Sequence, residues 1–109
     1  MNFADYQEKA HTFAEYEQDH YPFLALAEET GEFLGLAAKA ARGDNMIERF
    51  GSIEKLEGAI LKEAGDILWQ LSECLNSIGL SLQEAAETNI AKLTSRKERG
   101  VIKGAGDER

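Results

Sequence analysis

Two short acidic stretches of the sequence carry residues that could bind a metal ion. Glu29 and Glu32 are three residues apart in the first stretch, and Glu63 and Asp66 are three residues apart in the second. Residues with this spacing point in nearly the same direction from a helix, so each stretch offers two carboxylates on one face. Oxygen-only ligand sets suit Mg²⁺ or Mn²⁺. If the two helices face each other, the four carboxylates form a candidate divalent-cation site.

Both acidic pairs lie on the apolar sides of the helices that the sequence pattern predicts. At about 100° per residue, Glu29 falls within the face formed by Leu26 and Phe33, and the second pair lies beside Ala59 and Trp69. An ionised carboxylate against apolar surface is unfavourable unless it is paired or binds a cation. One such pair is common on a solvated helix face, but two pairs on successive apolar faces favour a metal site.

The elements that must position these carboxylates are helices. Helical periodicity extends over most of the chain, whereas strand patterns are nearly absent. We predict four helices: Phe3 to Gln18, Pro22 to Arg42, the Ser52 cap to about Ile78, and the Ser81 capping box to about Arg99. The connector between the second and third is predicted to hold one short helical turn closed by Gly51. The expected fold is all-α and resembles a four-helix bundle.

We expect a single domain over residues 1–109, because no repeat or low-complexity linker divides the chain. Residues 100–109 are expected to form a polar tail that either orders over phosphate or stays flexible. A bundle of this size buries a limited core alone, and the predicted third helix is apolar around much of its circumference. We therefore predict a homodimer or homotetramer.

Composition and charge exclude several classes of protein. The 109 residues include 20 acidic and 12 basic side chains, a net charge of −8, which argues against a general binder of nucleic-acid polymers. A single Cys rules out an intramolecular disulfide framework and fits a reducing compartment. The longest apolar run, Phe23 to Ala27, is far too short to span a bilayer. We expect a soluble, cytoplasmic protein with no membrane partner.

The acidic stretches and their surroundings resemble the MazG-like, all-α nucleoside triphosphate pyrophosphohydrolases. EETGE and KEAGDILWQL match the paired EExxE and ExxD motifs of that family, and the likeness continues through GLSLQEAAETNIAKL into RKERG. It covers roughly residues 22–107. Thirty residues separate Glu32 from Glu63, more than is usual in the family, which implies an enlarged connector.

The resemblance implies an activity and assigns residues to it. Members of the family hydrolyse (deoxy)nucleoside triphosphates between the α and β phosphates, in a Mg²⁺-dependent reaction that gives the monophosphate and pyrophosphate. Such a reaction serves nucleotide-pool sanitation or recycling, and Mn²⁺ is a possible substitute for Mg²⁺. Position by position, the resemblance makes metal ligands and catalytic residues of Glu29, Glu32, Glu63 and Asp66.

Basic residues near the C-terminus match a further part of the family pattern. Lys92 and Arg96, preceded by Asn89, correspond to its phosphate-binding pair. In such a pair the Arg forms two parallel hydrogen bonds to phosphate oxygens and the Lys supplies a single positive charge. Lys62 is an additional candidate because it adjoins Glu63. Cations at a helix C-terminus also have a purely structural explanation, since they interact favourably with the helix dipole.

Two other functions explain part of the sequence. A di-iron protein needs Glu-x-x-His on two helices, but the matching Glu8 to His11 and Glu17 to His20 lie on the predicted first helix or at its end, nine residues apart, and cannot converge within one subunit. A non-enzymatic acidic helical adaptor would bind a partner through its apolar stripes. That alternative does not explain why carboxylates lie on the apolar faces of two helices.

The sequence leaves the base preference of such an enzyme open, because the four carboxylates act at the phosphate end that all nucleotides share. Trp69 either stacks on a base or fills the core, and the core is the simpler explanation. Tyr21 and Phe23, at the start of the predicted second helix, are further candidates for a base pocket.

Overall fold

The chain folds into five helices joined by turns, without a strand. The computed structural model describes residues 1–109, with α1 (Phe3–His11), α2 (Tyr21–Ala41), α3 (Met46–Phe50), α4 (Ile53–Ser77) and α5 (Leu82–Glu98). The predicted all-α class is confirmed, and α3 is the short helical turn expected in the connector. None of the helices combines the length and the apolar composition that crossing a membrane requires.

Local side-chain caps explain where most of the helices begin. Asn2, Asn45, Ser52 and Ser81 each accept a hydrogen bond from a backbone N–H in the first turn of the helix that follows. The Glu84 N–H donates to the Ser81 hydroxyl, as the predicted capping box requires, but the Glu84 carboxylate accepts from the Ser81 hydroxyl, at 2.9 Å, and not from the Ser81 backbone N–H.

The ends of α2 and α3 are also fixed by local interactions. Arg42 donates two hydrogen bonds to the Asp44 carboxylate, at 2.9 and 2.8 Å, in the turn that follows α2. Gly51 ends α3 with φ at 100°, in the left-handed region that favours glycine. These turns bring α4 back along α2.

The first helix is shorter than the periodicity predicts, and this part of the sequence prediction is wrong. α1 ends at His11 instead of Gln18. The backbone N–H groups of residues 12–14 donate to carbonyls three residues back, and the Thr12 hydroxyl donates to the Lys9 carbonyl at 2.7 Å. These bonds compete with continuation of the helix. Residues 12–20 instead form a loop that folds against the start of α2.

The antiparallel pair of α2 and α4 forms the largest helix–helix interface and positions the acidic stretches. Phe33 and Leu36 of α2 line an apolar cavity of about 280 Å³ together with Leu56 and Ile60 of α4, and Met46 of α3 closes it. Towards the other end, the N-terminal half of α2 faces the second half of α4. The two acidic stretches therefore meet near the middle of the interface.

One chain alone leaves much of its apolar surface uncovered. Its radius of gyration is 17.1 Å, whereas a compact chain of this length has about 13 Å. Only 10 of the 109 residues are buried, and Leu24 and Leu61 are 64% and 72% exposed. α5 packs mainly on α1 and on the end of α4. A partner chain would cover such a surface, and the oligomeric state stays a prediction.

Candidate metal centre

Three of the four predicted ligands meet at the interface of α2 and α4. Glu29 and Glu32 lie one turn apart on α2, and Glu63 faces them from α4. Each places a carboxylate oxygen so that all three oxygens lie within 4.8 Å of one another. The antiparallel packing therefore brings together two acidic stretches that are separated by 30 residues in the sequence.

The three carboxylates repel one another at this distance, and the repulsion changes how they ionise. Burial raises the pKa of Glu29, and the charges of Asp66 and Glu32 raise it further. The pKa of Glu63 is raised by burial and then by the charges of Glu32 and Asp66. A raised carboxyl pKa means that the ionised form is disfavoured here, so a nearby cation would reverse the effect.

Two carboxylate oxygens of the cluster are buried without a partner. Glu29 Oε2 and Glu63 Oε2 are shielded from solvent and take part in no hydrogen bond. Most buried polar atoms in folded proteins have a hydrogen-bond partner, so two unpartnered acceptors on opposite helices require an explanation. A hard divalent cation with oxygen ligands fits this set, since it would satisfy both atoms and neutralise their charge.

Asp66 lies next to this cluster but outside the group of three. It follows Glu63 by one turn of α4, and its charge acts on the pKa of both Glu29 and Glu63. Its side chain lines a cavity of about 520 Å³ between α1 and α4, beside Tyr6 and Trp69. Its role as a direct metal ligand stays a prediction.

The predicted phosphate-binding pair on α5 contacts the C-terminal tail. Arg96 is buried, and its Nη2 donates to the Asp107 side chain and backbone carbonyl, both at 3.1 Å. Lys92 Nζ lies 3.3 Å from the same carboxylate, and the two cations lower the pKa of Asp107. Residues 100–109 thus turn back on α5. Asn89, one turn before this pair, is exposed.

Within one chain, the basic pair is distant from the carboxylate cluster. Lys92 lines a cavity with Leu75 and Leu80, and Leu75 is twelve residues from Glu63, about 18 Å along α4. Lys62 adjoins Glu63 in sequence and is exposed. The phosphate-binding roles of Lys62, Asn89, Lys92 and Arg96 stay predictions.

Sequence reasoning missed a buried glutamate on the same face of α4, which pairs with an exposed histidine of α1. Glu73 is 1% exposed, and both of its carboxylate oxygens lie 3.0 Å from His11 Nδ1. The signal that could have identified Glu73 is a row of polar residues at helical spacing on α4, which consists of Glu63, Asp66, Gln70 and Glu73. The pair joins α1 to α4.

Comparisons with known proteins place both acidic stretches within a family domain. A family model described as the MazG nucleotide pyrophosphohydrolase domain matches residues 23–101, a range that includes both acidic stretches. The Gene 37 protein of Mycobacterium phage L5 is 43% identical over 47 residues, which cover 43% of this chain and 41% of that protein. The aligned part thus spans about two fifths of the relative's length. No solved structure matches the chain.

Proposed function

Because the chain belongs to the MazG nucleotide pyrophosphohydrolase family, we propose that it hydrolyses nucleoside triphosphates, including deoxynucleotides, between the α and β phosphates. The products are the nucleoside monophosphate and pyrophosphate. The observation that carries this proposal is the meeting of Glu29, Glu32 and Glu63 within 4.8 Å, inside the segment that the family model matches. The proposed role is sanitation or recycling of the cytoplasmic nucleotide pool.

The carboxylates of α2 and α4 hold the cofactor, which we propose to be Mg²⁺ with Mn²⁺ as a substitute. The charge of Glu32 raises the pKa of both Glu29 and Glu63, as expected of three carboxylates close enough to share one ion. Asp66 completes the set from the next turn of α4. The ion supplies charge neutralisation for the triphosphate and activation of a water molecule. The rigid pairing of α2 and α4 holds the ligands in position.

A second copy of the chain supplies the remaining parts of the site in this proposal. The basic pair of α5 lies too far along α4 to reach the carboxylates of its own chain, and exposed apolar side chains such as Leu61 leave room for a partner. In a homodimer or homotetramer, Lys92 and Arg96 of one copy exchange their contacts with Asp107 for the phosphates held by another. Asn89 and Lys62 contribute further contacts to the same phosphates.

The activity is tested by screening the common and oxidised (d)NTPs for pyrophosphate release with Mg²⁺. We expect equal amounts of pyrophosphate and monophosphate, no inorganic phosphate, and no reaction in EDTA. Glu32→Gln or Asp66→Asn should abolish release while the helical circular dichroism signal is kept. Glu28→Gln is the matched control, because Glu28 is exposed and outside the group of three. Near-full activity of both site variants would contradict the proposal.

The adaptor alternative rests on the exposed apolar side chains, of which Leu24 and Leu61 are examples. It predicts a different response to the cation. A metal site present only in the folded state must raise the melting temperature when Mg²⁺ is added to the EDTA-treated protein, by mass action. An adaptor without such a site shows no change in melting temperature.

A further inference from the structure

A second cavity adjoins the carboxylate cluster at Glu29. Its volume is about 270 Å³, and it lies between α4 and the loop that follows α1. Gln70 and Trp69 form the α4 side, and Tyr16 and Tyr21 form the opposite side. Since Glu29 lines both this cavity and the metal centre, a ligand that occupies one can extend into the other.

The cavity contains buried polar atoms that have no partner. Gln70 is 7% exposed, yet its Oε1 accepts no hydrogen bond, and Trp69 Nε1 is likewise buried without an acceptor. Neither atom belongs to the carboxylate cluster. Buried polar atoms are rarely left unpaired in folded proteins. An unpaired acceptor and an unpaired donor on adjacent residues point to a ligand that offers one group of each kind.

The walls of the cavity suit a flat aromatic ligand. The rings of Tyr16 and Tyr21 are stacked, with centroids 5.8 Å apart and an interplanar angle of 26°. Phe13 and Trp69 add further ring surface to the lining. Aromatic side chains bind the faces of nucleobases by stacking, which does not depend on the identity of the base. Selection between bases must then come from the polar atoms.

The position of the cavity along α4 matches the shape of a nucleotide. Gln70 follows Glu63 by seven residues, which is about 10 Å along the helix, and both residues belong to the same polar face. With phosphates at the carboxylates, the sugar would pass Glu29 and the base would reach Gln70. The two sites are thus arranged as the two ends of one substrate.

The polar lining favours hydrogen-bond donors on the ligand. Besides Gln70 Oε1, the cavity is lined by the carboxylates of Glu15, Glu29 and Glu73, of which Glu73 is paired with His11. No Lys or Arg lines it. An exocyclic amine, as in cytosine or adenine, donates to such acceptors, whereas the carbonyl oxygen at the same position of uracil or hypoxanthine has no hydrogen to donate to them.

We propose that this cavity binds the base of the substrate and that Gln70 selects bases with an exocyclic amine over their keto counterparts. The inference rests on the proposed function, since it places the phosphates at the carboxylate cluster. The larger cavity between α1 and α4 is the competing location. Its lining includes Tyr6 and Asp66 but no amide side chain, and Gln70 does not line it.

The test compares kcat/KM for dCTP and dUTP, a pair of equal size, in the wild type, Gln70→Leu and Tyr6→Leu. We expect the wild type to favour dCTP by about tenfold or more, because a site built to hydrogen-bond a ligand rejects the analogue that lacks the group. Gln70→Leu should bring the ratio close to one, mainly by lowering the value for dCTP. Gln70→Glu, which keeps an acceptor, should keep the preference, and Tyr6→Leu should keep the wild-type ratio.

Binding of the uncleavable α,β-imido analogues of dCTP and dUTP, measured by calorimetry, separates this inference from the proposed function. Loss of binding preference in Gln70→Leu supports the base site even if no nucleotide is hydrolysed. The inference is overturned if Gln70→Leu lowers kcat/KM equally for dCTP, dUTP and 2-deoxyribose 5-triphosphate, which lacks a base. It is also overturned if Tyr6→Leu, and not Gln70→Leu, changes the ratio.

Discussion

Glu29 and Glu63 ionise less readily than ordinary glutamates because both are partly desolvated and both face other carboxylates. Each also has a buried oxygen without a partner. The cluster therefore opposes folding when it is fully ionised and no cation is present. The same charges make it a cation site, because an ion removes the repulsion and satisfies the unpartnered oxygens together.

This linkage predicts how stability depends on pH. In EDTA, we expect the free energy of unfolding to fall as pH rises from about 4.5 towards neutrality. In that range the folded protein holds protons on Glu29 and Glu63 that the unfolded chain has released, so the folded state binds more protons and loses stability as pH increases. Urea denaturation at a series of pH values measures the effect, and saturating Mg²⁺ should remove it.

Neighbouring glutamates on α2 provide the control for this experiment. Glu29→Gln should weaken the pH dependence in EDTA strongly, whereas Glu28→Gln should weaken it much less, because Glu28 is exposed and its charge is the smallest of the three that raise the pKa of Glu29. The lowered pKa values of Asp44 and Asp107 contribute only at more acidic pH. Stability that is flat or rises over the range in EDTA would contradict the electrostatic account.

At the scale of helices, local sequence signals determined most of the fold. The bounds of α2, α4 and α5 lie within about one residue of those predicted, because Pro22, Ser52 and Ser81 mark helix starts by mechanisms that need no tertiary contact. The end of α1 could not be predicted in this way. Apolar residues such as Phe13 continue the helical spacing beyond His11, although in the structure they belong to the loop that follows α1.

The candidate site likewise has a part that local sequence predicts and a part that depends on tertiary contacts. Glu29, Glu32 and Glu63 were predictable because each acidic pair is local and the helices that carry them are neighbours in sequence. The cavity at Gln70 depends on how residues 12–20 fold back on α2, which no local pattern specifies. The contact of Arg96 with Asp107 likewise depends on the path of the tail, so the sequence indicated a phosphate ligand without indicating its partner in the chain.

At the scale of the whole molecule, the chain is too extended to enclose a site by itself. Its radius of gyration of 17.1 Å and its exposed apolar side chains are the observations behind the proposed assembly. The carboxylates lie on one helix pair and the basic residues on another helix. An assembly that places α5 of one copy over α2 and α4 of another would cover the apolar surface and complete the site together.

Mixing two inactive variants tests whether sites are shared between copies. Glu32→Gln removes a carboxylate and Lys92→Ala removes a phosphate ligand, so each variant alone should release little pyrophosphate. In an equal mixture unfolded and refolded together, half of the dimers are mixed and each has one intact site, so about a quarter of wild-type activity should return. The mass in solution should be a multiple of 12.1 kDa. An oligomer of that mass without recovered activity would show that the sites are not shared.

The central claim is that Glu29, Glu32 and Glu63 form one divalent-cation site, and Mn²⁺ binding followed by electron paramagnetic resonance tests it most directly. We expect the wild type and Glu28→Gln to bind Mn²⁺ with the same affinity. Glu32→Gln should bind at least about a hundredfold more weakly, since loss of a direct ligand exceeds the effect typical of its supporting groups. Equal Mn²⁺ affinity in Glu32→Gln and the wild type would contradict the claim.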